Sequence, residues 1–365
     1  MKRRLVHIVT LLLVLSLAGG CARKEVFSNQ TSVAILLHLN RSALTKANLG
    51  SVESSAAEQT LSSLQVWVFR HSDGLLLDYV NPDVENFDDG DEERIYILVD
   101  NAIARNRPSV DVYAVANLAS TGLLLDGTCS RDDLDAAVMS DCFFGSSASV
   151  IPVAGLPYSG VGTQDLVGNF PVLNAGSITL NRAVSKLRFV FSQIAGPDGN
   201  PLDDFQITDI TLAEDLIPTQ EYLFNTSGNA YRVNTAAFEE AVSFPVPTAA
   251  IPAISHPESY AYHDQNAVVY NTLIEEAIAA GNLSATPYYY FRETPRALSG
   301  TISYRIGEDP NNVGTVPFEM SQEGDFARNR SWIVYVYYSS GKIYFTVSYE
   351  PWEDGGDIPM NGDDA

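Results

Sequence analysis

Short runs with a period of two, separated by turn-forming residues, dominate this sequence. Residues 64–69 (LQVWVF), for example, place aliphatic side chains on one face and aromatic side chains on the other. This period predicts β-strands, and the Gly, Asn, Asp and Pro residues between the runs predict turns. We therefore predict an all-β fold of packed antiparallel β-sandwiches. Further runs of this kind are SVAILLHLN (32–40), RIYILV (94–99), VDVYAVANL (110–118), GSITL (176–180), SKLRFVFS (185–192), ITDITLAED (207–215), GTISYRI (300–306), SWIVYVYYS (331–339) and KIYFTVSYE (342–350).

A turn-rich stretch, AGPDGNP at residues 195–201, interrupts this series near its middle. We place a domain boundary there, which predicts one sandwich over residues 32–195 and a second over residues 196–365. Two stretches with a helical pattern, 132–139 and 271–280, are interpreted as small covers between strands.

The N-terminus has the three parts of a secretory signal peptide, which we assign to residues 1–20. A cationic start precedes an apolar run at residues 9–17, and small residues follow. The apolar run is too short to span a bilayer stably. Residues 17–21 (LAGGC) resemble a lipobox, which implies cleavage before Cys21 and lipid attachment to it. Residues 21–31 are predicted to form a polar tether. We thus expect a protein that acyl chains such as palmitate anchor in the outer membrane of a bacterium.

The charge of the mature chain argues against nucleic-acid binding. Removing residues 1–20 takes away Lys2, Arg3 and Arg4, which leaves 19 Lys and Arg against 45 Asp and Glu and a net charge of about −26. Such a surface repels phosphate backbones. With Cys21 lipidated, Cys129 and Cys142 remain, in a compartment that permits disulfides. The sequence leaves open whether these two cysteines pair or stay as buried thiols.

The chain shows none of the residue spacings that announce an enzyme, a metal site or a cofactor site. The five histidines lack metal-binding spacing, and neither a Gly-x-Ser-x-Gly elbow nor a Walker-type loop occurs. The glycine-rich residues 160–162 are interpreted as a loop, and the acidic residues 88–93 as a solvated loop because they depart from EF-hand spacing. We predict no catalytic residues, no metal and no cofactor.

The two ends of the folded part carry the most informative pattern. Residues 32–40 form an unusually apolar predicted strand, and Arg41 and Ser42 follow it directly. Near the C-terminus, residues 332–338 and 343–349 predict a hairpin. One face of its second strand carries Ile343, Phe345, Val347 and Tyr349. A terminal strand of this kind can be lent to a neighbour, with backbone ladders giving affinity and alternate side chains giving selectivity.

Five segments together resemble the fimbrillin-family lipoproteins of Bacteroidales. They lie in the order that this family shows, and the resemblance extends over residues 30–355. The segments are LQVWVF (64–69), VYAVAN (112–117), LPYSG (156–160), NRAVSKL (181–187) and EPW (350–352).

This resemblance implies two tandem transthyretin-like β-sandwich domains and a role as a subunit of cell-surface fimbriae, the type V pili that support adhesion. In that family an arginine-specific protease removes the first strand, and the C-terminal strand of a neighbouring subunit fills the groove. Carried to this chain, residues 32–40 would be lost by cleavage between Arg41 and Ser42, and Ile343, Phe345, Val347 and Tyr349 would lie in the donor strand. The implied partners are other fimbrial subunits, identical or different, the protease, and the outer membrane.

Several alternatives stay open at this level. Arg41 is equally compatible with an ordinary residue after an edge strand, and the terminal hairpin with a role in its own sandwich. Stalk, tip and anchor subunits share the implied fold. A different class of function, a surface glycan-binding lipoprotein, would use the aromatic residues 288–291 (YYYF), which otherwise form an ordinary strand. Lys186, inside a predicted strand, is expected to point to solvent.

Overall fold

The computed structural model describes residues 32–41, 56–84, 92–139, 151–195, 200–201, 204–225, 233–247, 251–254, 284–320, 326–339 and 342–351. Its strands are β1 (Ser32–Arg41), β2 (Leu64–Arg70), β3 (Leu76–Val80), β4 (Glu92–Asp100), β5 (Ser109–Ala116), β6 (Val138–Met139), β7 (Tyr158–Asp165), β8 (Val167–Asn169), β9 (Val172–Arg182), β10 (Ser185–Ile194), β11 (Phe205–Leu212), β12 (Pro218–Tyr222), β13 (Val233–Phe238), β14 (Val242–Ser243), β15 (Ala253–Ile254), β16 (Ser284–Ala285), β17 (Tyr289–Phe291), β18 (Leu298–Ile306), β19 (Val313–Met320), β20 (Arg330–Ser339) and β21 (Lys342–Pro351). The described helices are α1 (Ala56–Gln59), α2 (Asn101–Ala104) and α3 (Arg131–Asp135), with a 3₁₀ turn at Leu118–Thr121.

The prediction of an all-β fold is confirmed, and its largest sheet encloses the first core. This sheet has the order β3-β2-β5-β7-β9-β1-β4, with β8 paired to β9. The sheet folds over on itself, so that the Asp78 carboxylate of β3 accepts a hydrogen bond from the Leu98 N–H of β4. Most pairs are antiparallel, but β1 and β9 are parallel. The inward side chains of both layers, among them Val66, Val112 and Ile97, form one buried cluster.

The second core lies between two further sheets. One has the order β15-β10-β20-β21, with β16 and β17 also paired to β10, and the other has the order β14-β11-β18-β19. The central pair β10 and β20 is parallel. Alternate residues of these strands, such as Phe189, Phe191, Trp332 and Val334, are fully buried in a common cluster. The period-two pattern read from the sequence therefore reports the buried faces correctly.

A third cluster covers the side of β2 and β5 that points away from the first core. Trp67, Phe69 and Tyr113 of those strands pack against residues of the segments that follow β5 and β12. The Trp67 indole N–H donates to the Asp126 carbonyl. A small sheet of order β13-β12-β6 joins this cover to the second half of the chain, so the two halves are packed together.

The helix predicted at residues 132–139 is shorter in the structure. α3 begins with a capping box between Ser130 and Asp133 and ends at Asp135. The following Val138 and Met139 form β6, because Met139 is completely buried in the third cluster and pairs with Glu221 of β12. The second predicted helix, residues 271–280, lies outside the described residues.

The glycine-rich residues 160–162 form part of β7, so their interpretation as a loop was wrong. The physical reason is close approach between strands. A Cβ on Gly160 would lie 2.4 Å from the Thr179 carbonyl oxygen of β9, and one on Gly162 would lie 2.9 Å from Ile178. Glycine therefore serves packing at this corner of the sheet.

The change from the first core to the second falls near Val184. The side chain of Val184 belongs to the first core and that of Leu187 to the second, and β10 pairs with β20 along its length. The strand at 185–194 thus shares its sheet with the C-terminal half. The domain ranges 32–195 and 196–365 stay a prediction.

Candidate functional site

β1 lies inside its sheet, although it begins at the first described residue of the chain. It pairs with β4 in antiparallel register from Ser32 to Asn40 and with β9 in parallel register from Ala34 to Arg41. Both edges of its backbone are therefore occupied. β1 joins β4 to β9, two strands that share no register with each other.

The inward face of β1 contributes directly to the first core. Val33, Ile35 and Leu37 are almost completely buried, with exposed fractions of 3%, 0% and 0%. Burying an aliphatic side chain of this size contributes about 1.5–3 kcal/mol. The alternate residues Ala34 and Leu36 face outward and are half-buried. A strand of this kind specifies its register, because a shift by one residue would turn its apolar face outward.

A bulge in β9 adapts that strand to β1. The parallel register shifts between Leu36 and His38, opposite Gly176 of β9. Gly176 has φ of 75°, a conformation that favours glycine, and its N–H donates to the Asn174 side-chain oxygen at 2.6 Å. The local kink keeps both ends of β1 in hydrogen-bonding register.

Arg41 is the last residue of β1 and lies opposite Leu180 of β9. The chain beyond it, from Ser42 to residue 55, lies outside the described residues, as does the lipid attachment position Cys21. Cleavage after Arg41 and lipidation of Cys21 therefore stay predictions.

The predicted C-terminal hairpin is present, and its second strand is an edge strand. β21 pairs antiparallel with β20 from Lys342 to Pro351 and ends the sheet order on that side. Ile343 and Phe345 are half-buried against the second core, and the Phe345 ring lies 6.4 Å from that of Phe318. Val347 and Tyr349 lie opposite Val334 and Trp332. In this structure the proposed donor strand thus completes its own sheet.

A buried ion pair fixes α1, the next described element after β1. Lys186 of β10 is completely buried, so the expectation that it points to solvent was wrong. Its Nζ atom lies 3.0 and 3.1 Å from the two carboxylate oxygens of Glu58 in α1, and the Tyr290 hydroxyl donates to the same carboxylate at 2.6 Å. Burial lowers the pKa of Lys186 to about 8, although the negative charge of Glu58 opposes the shift. The pair ties α1 to the strands of the second half.

The local sequence around Glu58 gives no signal of this contact. Glu58 is separated from Lys186 by 128 residues and from Tyr290 by 232 residues. Lys186 itself lies between Ser185 and Leu187 in the NRAVSKL segment, so its neighbours do not point to the contact either. A lysine on a strand that is buried on both faces requires a buried partner.

The aromatic residues 288–291 are core residues in the structure. Tyr289, Tyr290 and Phe291 are buried, and the half-buried Tyr288 ring packs under the Nζ atom of Lys186 at 4.3 Å. Their faces are occupied by protein, so they offer no platform on which a sugar ring could stack.

A second buried charge cluster lies close to the junction of the two halves. The Arg328 guanidinium lies 2.8 Å from a Glu221 carboxylate oxygen and 2.7 Å from one of Glu293, and it donates to the carbonyls of Tyr222 and Leu223. Burial raises the pKa of Glu221 well above its ordinary value. Both carboxylates are completely buried. The cluster therefore fastens β12 to the segments that carry Glu293 and Arg328, and it is closed to a substrate.

The remaining predicted positions are described only in part. The Cys129 thiol accepts a hydrogen bond from the Asp126 N–H at 3.4 Å, and Cys142 lies outside the described residues, so their pairing stays a prediction. Among the residues that the structure describes, no group of three metal-ligating side chains occurs. In the same part of the chain, no helix has the length and apolar character needed to cross a membrane.

Comparison with solved structures identifies proteins of similar architecture. A candidate cell adhesion protein from Parabacteroides distasonis is similar with a TM-score of 0.52 and 13% identity, over 89% of this chain and 98% of that chain. A fimbrial assembly protein from the same organism has a TM-score of 0.47 and 16% identity, over 87% of this chain and 95% of that chain. The tip fimbrial protein Mfa3 from Porphyromonas gingivalis has a TM-score of 0.47 and 13% identity, over 88% of this chain and 100% of that chain. No protein-family model matches the sequence, and no curated protein does.

The chain is thus a two-core β-sandwich protein with the fold of the Parabacteroides cell adhesion candidate. The all-β sandwich fold implied by the five sequence segments is confirmed.

Proposed function

We propose that this protein is a structural subunit of a cell-surface fimbrium, a type V pilus, which is exported as a lipoprotein and assembled by donor-strand exchange in support of adhesion. The observation that carries the proposal is the position of β1. This first strand is an interior strand of its sheet, supplies Val33, Ile35 and Leu37 to the core, and ends at Arg41.

Loss of β1 would create a groove with defined chemistry. The facing edges of β4 and β9 would lose their backbone partners, and the first core would open along three apolar positions two residues apart. Unpaired strand edges beside an open core bind another strand or aggregate. A replacement strand must therefore carry apolar residues at alternate positions.

The C-terminal strand meets this requirement. β21 carries Ile343, Phe345, Val347 and Tyr349 at alternate positions. It lies at the edge of its sheet, so it can dissociate when the backbone hydrogen bonds to β20 break. We propose that these residues fill the groove of a neighbouring subunit. The predicted signal peptide and Cys21 would bring the precursor to the outer membrane, and cleavage after Arg41 would remove the lipid together with β1.

We propose that the protein acts through assembly and not through catalysis, and the buried carboxylates Glu221 and Glu293 are closed to a substrate. The burial of residues 289–291 leaves the glycan-binding alternative without its suspected platform.

The proposal can be tested with an arginine-specific protease and the purified, unlipidated chain starting at residue 22. We expect a new N-terminus at Ser42 and a ladder of oligomers in size-exclusion chromatography and non-denaturing gels. Arg41→Lys is the matched control, because it keeps the positive charge and removes the cleavage site; this variant should stay monomeric. A synthetic peptide of residues 342–365, added in excess, should bind the cleaved chain and shorten the ladder.

Clean cleavage that yields soluble, stable monomers would contradict assembly through this groove. A folded protein that resists the protease at Arg41 would instead assign the chain to an unprocessed anchor, which keeps its lipid.

A further inference from the structure

Exposed apolar side chains gather on the outer face of β4, β1, β8 and the start of β9. Tyr96 and Leu98 of β4 are 45% and 62% exposed, and Val167 and Phe170 at the β8–β9 turn are 53% and 42% exposed. Soluble proteins seldom expose contiguous apolar surface of this kind without a binding role. We call these four residues, with Ala34, Leu36 and Val172 between them, the outer face.

The strand register makes the outer face continuous. One row runs from Tyr96 through Leu36 to Asn174 and Val167, because these residues are paired across the four strands. The next row runs from Leu98 through Ala34 and Val172 to Asn169 across the same strands. On β4, β1 and β9 these side chains alternate with buried residues of the first core and therefore point away from it, and β8 is exposed along its whole length.

The outer face lies at the end of the molecule where the N-terminal tether enters. The row with Ala34 is two residues from Ser32, where β1 begins. Cys21 lies eleven residues before Ser32, so the lipid can be at most about 40 Å away even with the tether fully extended. β9 starts at the outer face with Val172 and reaches the second half at Arg182, about 33 Å further along the strand. The second core therefore lies toward the opposite end.

Two arginines flank the outer face. Arg107, in the connection after α2, donates through Nη2 to the Gly168 carbonyl of β8 at 2.7 Å, and the Arg105 side chain donates to Asn101. Neither forms an ion pair with a described carboxylate. Asp100 accepts the Ala102 N–H in capping α2, and Asp165 accepts the Ser109 hydroxyl, so neither of these carboxylates pairs with the two arginines. In a mature chain with 19 Lys and Arg against 45 Asp and Glu, a net charge of about −26, Arg105 and Arg107 are the cationic groups that this rim offers to phosphates.

We propose that the outer face of the precursor rests on the lipid surface to which Cys21 is anchored, with Phe170 and Val167 at the acyl boundary, Tyr96 at the headgroup level and Arg105 and Arg107 against lipid phosphates. This inference rests on the lipid tether of the proposed function. The short tether, the apolar surface and the flanking cations coincide at one end, which favours a membrane over a second protein as the occupant.

The arrangement couples membrane contact to processing. Ala34 and Leu36 form the middle of the outer face and belong to β1, the strand that cleavage after Arg41 would remove. One cut therefore eliminates both the lipid and the centre of the contact surface.

The inference can be tested with the full mature chain carrying a hexahistidine tag in place of Cys21, held on phosphatidylcholine–phosphatidylglycerol vesicles by a nickel-chelating lipid. Phe170→Trp places a fluorophore in the outer face, and Leu124→Trp places one at a fully exposed position in the cover of the third cluster. With brominated acyl chains, we expect a roughly threefold greater loss of fluorescence, above the wild-type background, for Phe170→Trp than for Leu124→Trp. Adding Arg105→Gln and Arg107→Gln should reduce this loss more on phosphatidylglycerol-containing vesicles than on phosphatidylcholine alone, because phosphatidylglycerol adds a net negative charge.

Equal quenching at the two positions would overturn the inference. Weak quenching accompanied by dimerisation, which Leu98→Asp abolishes, would also overturn it and assign the outer face to a second copy of the chain. The engineered tether makes this test independent of natural lipidation. A mass spectrum of the native protein without an acyl group on Cys21 would count against the proposed function while leaving the vesicle result intact.

Discussion

The first and last described strands are built into the protein in different ways. β1 is held by strands on both sides, and its inward residues Val33, Ile35 and Leu37 lie at the centre of the first core. Among the described strands β21 pairs with β20 alone, and its Ile343 and Phe345 side chains are only half-buried. The difference teaches that the two ends of the chain are suited to opposite roles. In the proposed assembly, removal of β1 would expose a binding groove, whereas release of β21 would leave most of the second core in place.

Truncating each strand should produce the largest effect. A chain that starts at Ser42 loses three buried aliphatic side chains, worth together about 5–9 kcal/mol, which is comparable to the entire stability of many domains. We expect this chain to aggregate or to show a disordered first core in amide hydrogen exchange. A chain that ends at residue 341 should remain folded, with a lower unfolding temperature.

A peptide of residues 32–41 added to the shortened chain provides the control. It should restore the protected amides of β4 and β9, because its side chains match the groove. Equal loss of structure in the two truncations would contradict the distinction between the strands.

The sequence predicts where the individual strands lie along the chain better than it predicts which strands pair with each other. Alternation of apolar residues in the SVAILLHLN segment correctly indicates a strand that buries Val33, Ile35 and Leu37. The position of that strand between β4 and β9 depends on contacts with residues far along the chain, for which the local pattern carries no information. The same limit applies to β10, which pairs with β20 across the predicted boundary.

The buried ion pair shows the same limit for single residues. A local pattern places Lys186 in a strand but does not reveal that both faces of the strand are covered. The Glu58 carboxylate that neutralises it comes from a separate element, α1. Burial of a charge is thus decided by tertiary structure.

Breaking this ion pair should have the next largest effect. Lys186→Met leaves the Glu58 carboxylate buried without its cation, and we expect a loss of about 3–5 kcal/mol in the free energy of unfolding. The double variant Lys186→Met and Glu58→Gln removes both charges, and its amide can still accept the Tyr290 hydroxyl. It should recover most of the lost stability in urea unfolding. The pair holds α1, which is the next described element after β1. The single variant should therefore speed amide hydrogen exchange near β1 and leave exchange in β21 unchanged.

The pH dependence of the free energy of unfolding supplies an independent test of the same ion pair. Burial places the pKa of Lys186 at about 8 in the folded protein, below its ordinary value of 10.5. Between these values the unfolded chain binds more protons than the folded one, so the contribution of Lys186 to stability rises with pH. We expect wild-type stability to gain over the double variant as the pH rises from about 8 to about 9.5, below the range in which tyrosines ionise. A constant difference between the two proteins over this interval would contradict the assigned environment of Lys186.

Single substitutions in the two strands should give the smallest effects and the sharpest comparison. Leu37→Ala removes a side chain with no exposed surface and should cost about 3 kcal/mol, because a cavity remains in the first core. Ile343→Ala removes a half-buried side chain at a sheet edge, where neighbours and water can fill the space, and should cost about 1 kcal/mol. Leu36→Ala, next to Leu37 but facing outward, is the matched control and should cost less than Leu37→Ala by urea unfolding. If Ile343→Ala were as destabilising as Leu37→Ala, β21 would be as firmly built into its own core as β1, and its release to a neighbouring subunit would lose its energetic basis.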